Sequence, residues 1–343
     1  MNNIKFDWDD ILIQPSGVSN IASRSEIEID KLPLFTSPMD TVVDENNART
    51  YLDMGYTVCL PRGILYNEDL KECFFSYGLY EIEELINTDS VEADNVLIDI
   101  ANGNMQKLFN IVEKFKKSYP NKILMAGNVA NPDTYKRLSE LGVDYIRCGV
   151  GNGNGCLTSQ NIGLGYAMGS LIEECAELKR EYNLKSHIIA DGGFKKYADI
   201  IKALAVGSSY VMLGSMLNKC LESCGDNYII EYNPNDSIPI KRYKEIGIEE
   251  ATYKFIKGKE IYKKFRGMST KEVQKKWGNK KLTTSEGVVR YNKVEYTLDG
   301  WTENFTDYLK STMSYCNCLT LNDFIGKVQY NQITQNAFNR FNK

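Results

Sequence analysis

Short apolar runs alternate with longer amphipathic segments along most of this 343-residue chain. Uninterrupted apolar runs are typical of parallel strands buried on both faces. They occur at Leu34–Ser37, Tyr56–Leu60, Val96–Ile100, Ile123–Ala126, Tyr145–Cys148, His187–Ala190 and Tyr210–Leu213, with an eighth strand predicted at Tyr262–Gly267. Most runs are followed by apolar residues at helical spacing, such as Leu108, Ile111, Val112 and Phe115. The pattern therefore predicts a repeated strand–helix unit.

Eight such units predict an α/β fold, a (β/α)8 TIM barrel that forms a single domain over residues 1–343. A doubly wound open sheet is the alternative, because it also carries glycine-rich loops at its carboxyl edge. In both folds the loops that follow the strands share one face, so we look for candidate site residues there.

Two long segments depart from the regular repeat. Residues Leu217–Glu260 separate the seventh and eighth predicted strands, where the usual connection is much shorter, and we expect an insertion that forms a hairpin or a small excursion. Residues Thr270–Asp299 follow the eighth predicted strand and are expected to form a flap over the site. Loops of this length in a compact domain are more often functional than decorative.

The composition describes a soluble protein, with 43% hydrophobic residues and a net charge of −4. No apolar run is long enough to cross a bilayer and the first residues lack a secretory core, so we expect a cytoplasmic protein without a membrane partner. An acidic balance without a basic stripe argues against nucleic acid as a partner. Nine cysteines without regular spacing are expected to be reduced thiols rather than disulfides or zinc ligands.

The glycine-rich loop Gly149–Thr158 leaves one predicted strand and presents Cys156. Four glycines in seven positions give a backbone that can turn its amides and carbonyls toward a ligand or an ion. Oriented amides favour a thiolate, and a thiolate attacks electrophilic carbon. Cys156 is therefore a candidate nucleophile, and the alternative is an ordinary turn that carries a small apolar cysteine.

Other predicted strands are also followed by polar or glycine-rich residues, at Pro38–Asp40, Asp99–Gly103, Gly127–Asn128, Asp191–Gly193, Gly214–Ser215 and Gly267–Ser269. Glycine turns can bind a phosphate through backbone amides. Asp191 follows one of these strands and could cap a helix beside its glycine turn. His187, the only histidine, opens a predicted strand at the end opposite the site and is expected to be structural.

Six of these segments together resemble the IMP dehydrogenase/GMP reductase family, in the same order, from about Phe6 to Phe324. They are Asp99–Gly103, Met125–Val129, Gly149–Thr158, Ile189–Gly193, Val211–Ser215 and Arg266–Ser269. The resemblance implies a (β/α)8 barrel that assembles as a homotetramer. It also implies a covalent adduct between the loop cysteine and C2 of a purine nucleotide.

Two features favour the reductase branch of that family. The interval from Ser269 to Glu286 lacks the Arg-Tyr pair through which the dehydrogenases activate water. The interval from Gly63 to Asn95 is too short for the regulatory domain pair that most dehydrogenases insert. The resemblance therefore implies NADPH-dependent reductive deamination of GMP to IMP and ammonia.

The resemblance also implies residue roles. Cys156 is the nucleophile, while Thr158 and Glu286 hold and move the proton. Residues expected to bind the nucleotide are Asp191, Gly192, Gly193, Gly214, Ser215, Met268, Ser269, Ser285 and Gly287. Residues expected to face the cofactor and the reacting amide are Asp99, Ala101, Asn102 and Asn128. The carbonyls of Gly151, Gly153 and Cys156 are expected to bind a monovalent cation, K⁺.

Some segments depart from the reductase pattern. Ser37–Val42 and Ser311–Cys316 look more like the dehydrogenase branch, and the residues that differ from those usual around the pocket are Arg62, Asn154, Leu157, Ser159 and Thr283. Four alternatives therefore stay open: an IMP dehydrogenase, a divergent member that acts on another 2-substituted purine nucleotide, an inactive nucleotide-binding homologue, and a flavin-dependent barrel oxidoreductase that would not need Cys156.

Overall fold

A curled parallel sheet lies at the centre of the computed structural model, which describes residues 4–232, 241–267, 270–271, 275 and 287–341. The strands are β1 (Ile11–Ile13), β2 (Leu34–Thr36), β3 (Phe75–Tyr77), β4 (Asn95–Asp99), β5 (Ile123–Val129), β6 (Tyr145–Cys148), β7 (His187–Asp191), β8 (Tyr210–Leu213), β9 (Asn227–Glu231), β10 (Arg242–Ile246), β11 (Tyr262–Arg266), β12 (Val289–Lys293) and β13 (Tyr330–Gln332). Seven of them form the parallel sheet, in the spatial order β2-β8-β7-β6-β5-β4-β3.

Residues 57–60 connect the two edges of this sheet. On one side the Thr57 amide donates to the Leu34 carbonyl at 3.0 Å, and on the other side the Phe74 amide donates to the Val58 carbonyl at 2.8 Å. Both contacts belong to isolated parallel bridges. The spatial order from β3 to β8 follows the chain order without the reversal that a doubly wound sheet requires, so the sheet is curled and parallel as in a barrel and is not that alternative. It has seven strands and is not the closed barrel of eight strands that the sequence predicts.

The eighth predicted strand, Tyr262–Gly267, does not belong to the parallel sheet, so that prediction was wrong. Strand β11 lies in an antiparallel sheet with the order β10-β9-β11-β12. Two lysines, Lys263 and Lys264, interrupt the apolar run, as is usual for an antiparallel strand rather than a parallel one buried on both faces. Residues Leu217–Glu260 therefore follow the last parallel strand and do not separate two strands of the parallel sheet.

Helices that follow the parallel strands pack against that sheet, whereas the helix at Ile248–Ile256 packs against the antiparallel sheet. The helices are α1 (Ala48–Asp53), α2 (Leu79–Asn87), α3 (Gln106–Ser118), α4 (Pro132–Glu140), α5 (Thr158–Ile162), α6 (Met168–Glu181), α7 (Tyr197–Val206), α8 (Ser215–Asn218), α9 (Ile248–Ile256), α10 (Leu298–Tyr315), α11 (Leu321–Phe324) and α12 (Gln335–Phe341). Periodic apolar residues form the buried face, and in α3 these include the predicted set from Leu108 to Phe115. No helix in the described ranges is long and apolar enough to cross a membrane.

The interior of the curled sheet is apolar in its middle and polar at its carboxyl end. Leu97, Met125 and Ile189 belong to one buried cluster, against which Tyr145 packs. Because side chains alternate along a strand, the residues two positions later also point inward. These are Asp99, Gly127, Arg147 and Asp191. The pattern therefore builds a charged layer directly above the apolar one.

Candidate active site

A cavity of about 610 Å³ opens at the carboxyl ends of the parallel strands. Its walls are the residues that follow β2, β4, β5, β6, β7 and β8. This volume lies within the range of sites for small ligands. The strand register therefore brings loops that are distant in sequence to one place, as a barrel-like sheet requires.

Cys156 lies in the wall of this cavity, and its sulfur is 3.1 Å from the Thr158 hydroxyl oxygen. The thiol is partly exposed. The thiols of Cys59, Cys175 and Cys220 are buried instead, and burial raises the pKa of each well above its ordinary value. Cys156 is thus a thiol that a ligand in the cavity can reach, beside a hydroxyl that can exchange a proton with it.

The backbone on both sides of the Cys156 loop is fixed by close contacts. Gly149 has a φ of +136°, and a Cβ atom there would lie 2.3 Å from the Asp191 carbonyl oxygen. The side-chain amide of Asn128 donates to the Gly149 carbonyl at 2.9 Å. At the other end, Cys156 forms an antiparallel bridge with Gly287. The loop is therefore anchored to β5, to β7 and to Gly287, just before β12. Strand β12 lies inside the predicted flap, so part of that segment is paired with β11 in the antiparallel sheet.

Arg147 lies between two carboxylates at the floor of the cavity and is only 5% exposed. Its Nη1 is 2.6 Å from Asp99 Oδ1, and its Nη2 is 2.9 Å from Asp191 Oδ2. Burial alone would lower the pKa of the guanidinium, but the charges of Asp191 and Asp99 outweigh it and raise that pKa above its ordinary value. A second guanidinium, that of Arg62, lies 3.3 Å from Asp99 Oδ2. The four groups compensate one another in charge.

The glycine turns predicted to bind phosphate line the same cavity. They are Gly192 and Gly193 after β7, with Gly214 and Ser215 after β8. The side-chain amide of Asn154 donates to the Ser215 hydroxyl at 2.8 Å. Asn154 differs from the residue expected at this position, and it still contacts Ser215, one of the residues predicted to bind the phosphate.

The residues predicted to face the cofactor, which are Asp99, Ala101, Asn102 and Asn128, line the cavity as well. Asn128 also contacts the predicted nucleotide side, because its Nδ2 donates to Asp191 Oδ2 at 2.7 Å. The second hydrogen of Asn128 Nδ2 is donated to the Gly149 carbonyl. The side-chain oxygen of Asn128 accepts no hydrogen bond within the described residues and can accept one from a ligand.

The carbonyls expected to bind K⁺ take part in hydrogen bonds within their own loop. The Gly151 carbonyl accepts from the Ser159 hydroxyl at 3.1 Å, and the Gly153 carbonyl accepts from the Cys156 amide at 2.9 Å. Within the described ranges, no cluster of three His, Cys, Asp or Glu side chains could hold a metal ion. The cation site stays a prediction.

Several predicted residues cannot be placed, because Met268, Ser269, Thr283, Ser285 and Glu286 lie outside the described residues. Their roles stay predictions.

His187 lies far from this cavity, at the amino end of β7, where its ring stacks on Tyr145 at 4.9 Å. Sequence reasoning missed Arg147, although a charged residue in the otherwise apolar run Tyr145–Cys148 could have drawn attention to it.

Comparison with known proteins agrees with this geometry. Residues 78–341 match the IMP dehydrogenase / GMP reductase domain. GMP reductase 2 of Mus musculus is 28% identical over 301 residues, which are 78% of this chain and 84% of that protein. The GMP reductases of Enterococcus faecalis and Oenococcus oeni are 28% and 29% identical over 290 residues, 76% of this chain and 85% of each relative. Since the domain match spans most of its length, the chain belongs to the IMP dehydrogenase/GMP reductase family.

Proposed function

We propose that this chain is a GMP reductase, which converts GMP to IMP and ammonia with NADPH. The observation that carries the proposal is the Cys156 thiol beside the Thr158 hydroxyl, in a cavity that also contains Asp191 and two glycine turns. Relatives named GMP reductase, similar over most of the chain, support the choice of reaction.

The nucleotide would be held by groups that remain available in the cavity. Backbone amides of Gly192, Gly193 and Gly214, with the Ser215 hydroxyl, suit a phosphate. Asp191 accepts hydrogen bonds from Asn128 and Arg147 through Oδ2. Within the described part of the chain its Oδ1 accepts none, so this oxygen can accept from ribose hydroxyls.

The chemistry begins with Cys156 as a thiolate that attacks C2 of the purine and forms a carbon–sulfur bond. Thr158 and Glu286 pass a proton to the 2-amino group, which leaves as ammonia and takes its bonding electron pair. When bound, NADPH supplies a hydride to C2. Cys156 then departs with the electrons of the carbon–sulfur bond and leaves IMP.

The residues on the cofactor side fit a nicotinamide nucleotide. The Asp99 carboxylate can accept from hydroxyls. The Asn128 side-chain oxygen, which accepts no hydrogen bond within the described part of the chain, can accept from a carboxamide. The Asn102 side chain is exposed, and its carbonyl already accepts from the Asn104 amide at 3.1 Å, so its NH₂ group can donate. These contacts would orient the cofactor, and the cavity beside them is large enough to contain it.

We also propose that the carbonyls of Gly151, Gly153 and Cys156 bind K⁺ and that the enzyme is a cytoplasmic homotetramer. The Gly151 and Gly153 carbonyl oxygens each keep a second lone pair beside the hydrogen bond that they already accept. Replacement of K⁺ by Na⁺ is expected to lower turnover, and light scattering is expected to give the mass of four chains.

The deciding experiment follows NADPH absorbance with GMP, then with other 2-aminopurine nucleotides, and finally NADH formation from IMP plus NAD⁺. GMP-dependent NADPH oxidation that is lost in Cys156→Ala and kept in Cys316→Ala supports the proposal, since Cys316 is a partly exposed thiol outside the cavity.

Three results would overturn the proposed reaction. Turnover of IMP with NAD⁺ alone would make the protein a dehydrogenase. Nucleotide binding without turnover would make it an inactive homologue. A yellow protein that stays active as Cys156→Ala would indicate flavin chemistry.

A further inference from the structure

Arg147 joins two parts of the cavity that the proposed function assigns to different ligands. Asp99 lies at the end of β4 and is assigned to the cofactor, whereas Asp191 lies at the end of β7 and is assigned to the nucleotide. Arg147 lies on β6, between them. It contacts Asp99 through Nη1 and Asp191 through both Nε and Nη2, at 2.6, 3.1 and 2.9 Å.

The intervening strand leaves space for this connection. In the register of the sheet, Gly127 of β5 pairs with Asp99 on one side and with Arg147 on the other. A Cβ atom on Gly127 would lie 2.6 Å from the Arg147 carbonyl oxygen and 2.7 Å from its Cβ. Because this inward position carries no side chain, the guanidinium can reach across β5 to Asp99.

The fork of the guanidinium fixes the orientation of both carboxylates. Oδ2 of Asp191 accepts two hydrogen bonds from Arg147 and one from Asn128, and within the described residues Oδ1 accepts none. Oδ1 of Asp99 accepts a hydrogen bond from Nη1 of Arg147. The guanidinium is planar and is bound by a carboxylate at each end. If one carboxylate moves and the guanidinium moves with it, the hydrogen bonds to the other carboxylate must change.

Stability alone does not account for this arrangement. Buried ion pairs can often be replaced by packed apolar side chains without loss of stability, and the layer below Arg147 is already apolar. The charged layer instead lies where both ligands would bind.

We infer that Arg147 is a positioning residue that makes nucleotide binding at Asp191 and cofactor binding at Asp99 depend on each other. The inference rests on the proposed function. When one ligand binds, it fixes one carboxylate and therefore also the guanidinium and the other carboxylate. The second ligand then binds side chains that are already ordered and loses less conformational entropy.

The test measures the dissociation constant of GMP by calorimetry, without and with saturating NADPH, in a Cys156→Ala background where no adduct can form. With Arg147 present, NADPH is expected to tighten GMP binding by about five-fold or more, the lower end of usual coupling. In Arg147→Lys the factor is expected to fall to about one, because an ammonium cannot hold both carboxylates in the fork geometry.

The matched control is Lys116→Met, which removes a cation from Asp144 just before the amino end of β6, where Lys116 Nζ lies 2.6 Å from Asp144 Oδ2. It is expected to change the melting temperature but not the coupling factor. Asp99→Asn breaks the connection from the cofactor side and is expected to lose the coupling as well, which keeps a test available if Arg147→Lys does not fold.

Equal GMP affinity with and without NADPH in the parent protein, or full coupling in folded Arg147→Lys or Asp99→Asn, would overturn this inference while leaving the reaction intact. Absence of GMP-dependent NADPH oxidation by the unmodified protein would overturn the proposed function itself, and the inference with it.

Discussion

The hydroxyl of Thr158 lies 3.1 Å from the Cys156 sulfur, close enough to exchange a proton with the thiol or with a group bound to it. Thr158→Val keeps the shape and removes the hydroxyl. We expect kcat for GMP-dependent NADPH oxidation to fall by about 10² to 10⁴, the usual contribution of general acid–base groups. Thr158→Ser is expected to retain most of the rate, and an unchanged kcat in Thr158→Val would remove Thr158 from the mechanism.

Gly149 permits the close approach between the Cys156 loop and β7. Gly149→Ala places a Cβ atom 2.3 Å from the Asp191 carbonyl oxygen, at a φ of +136°. We expect a loss of about 2 kcal/mol or more in the free energy of unfolding, from strain and overpacking together. Urea unfolding measures it. Gly17→Ala, where no atom lies within 4 Å of the added Cβ, is the control and should change little.

Single residues were predictable where they followed strands in glycine-rich or polar loops. Cys156, Asp191 and Ser215 were selected in this way, and all three line the cavity. Arg147 was not, because its importance comes from partners 48 and 44 positions away in the chain, at Asp99 and Asp191. Only the sheet register reveals such a contact.

At the level of elements, Asn218 at the end of α8 ties the antiparallel sheet to the parallel one. Its Nδ2 donates to the Thr41 carbonyl at 2.7 Å and to the Lys264 carbonyl at 3.1 Å. Its Oδ1 accepts from Asn292 at 2.8 Å. The side chain is fully buried, so water cannot replace these bonds.

Asn218→Ala is expected to lower the free energy of unfolding by about 2 to 3 kcal/mol, because buried backbone carbonyls lose their donor. Amide hydrogen exchange should accelerate in β11 and β12 more than in β5 and β6. Asn110→Ala, which alters an exposed amide on α3, is the control. Uniform acceleration across all strands would show that Asn218 stabilises the fold as a whole and not this junction.

Six parallel strands, β2 and β4 to β8, were predictable within a few residues, because both faces of such strands are buried and the apolar runs are continuous. Strand β3 was missed, although the run Cys73–Tyr77 before Gly78 has the same character. The segment near Thr57–Leu60 was predicted as a strand, and the structure connects it to both edges of the sheet by isolated bridges. Strand β11 was assigned to the wrong sheet, because seven preceding strands suggested an eighth parallel one. Its two lysines indicated an antiparallel strand instead.

For the molecule as a whole, its single histidine gives a defined dependence of stability on pH. Burial lowers the pKa of His187 from its ordinary value of 6.5, with a further lowering by the charge of Lys179. The unfolded chain therefore binds this proton more readily than the folded one. The stabilisation is complete above pH 6.5 and is lost as the pH falls through the lower, folded pKa.

His187→Phe keeps an aromatic ring against Tyr145 and removes the titrating group. We expect the melting temperature of the unmodified protein to fall more than that of His187→Phe between about pH 7.5 and about pH 5.5. Differential scanning fluorimetry at both pH values measures the difference. Equal falls in the two proteins would assign the acid sensitivity to carboxylates.

The family could be predicted from the sequence, because six motifs in order are more specific than any one of them, and the domain match covers residues 78–341. The fold was predicted only in part, because the parallel sheet has seven strands and is not the closed barrel of eight. The antiparallel arrangement of β9 to β12 could not be predicted, since it depends on pairs of residues up to 36 positions apart, such as Asn227 with Lys263.

Both ends of the stretch between Gly267 and Gly287 are fastened at one point. The Gly267 amide donates to the Val288 carbonyl at 3.0 Å, and the Val288 amide donates to the Gly155 carbonyl at 3.1 Å, next to Cys156. A segment that leaves and returns at the same hinge can be exchanged or shortened without altering the scaffold. Exchange of this segment in a chimera would replace Glu286 together with the predicted nucleotide ligands Met268, Ser269 and Ser285, while Cys156 and Thr158 stay in place. Such a chimera would therefore separate the contribution of the nucleophile from that of the proton-transfer group.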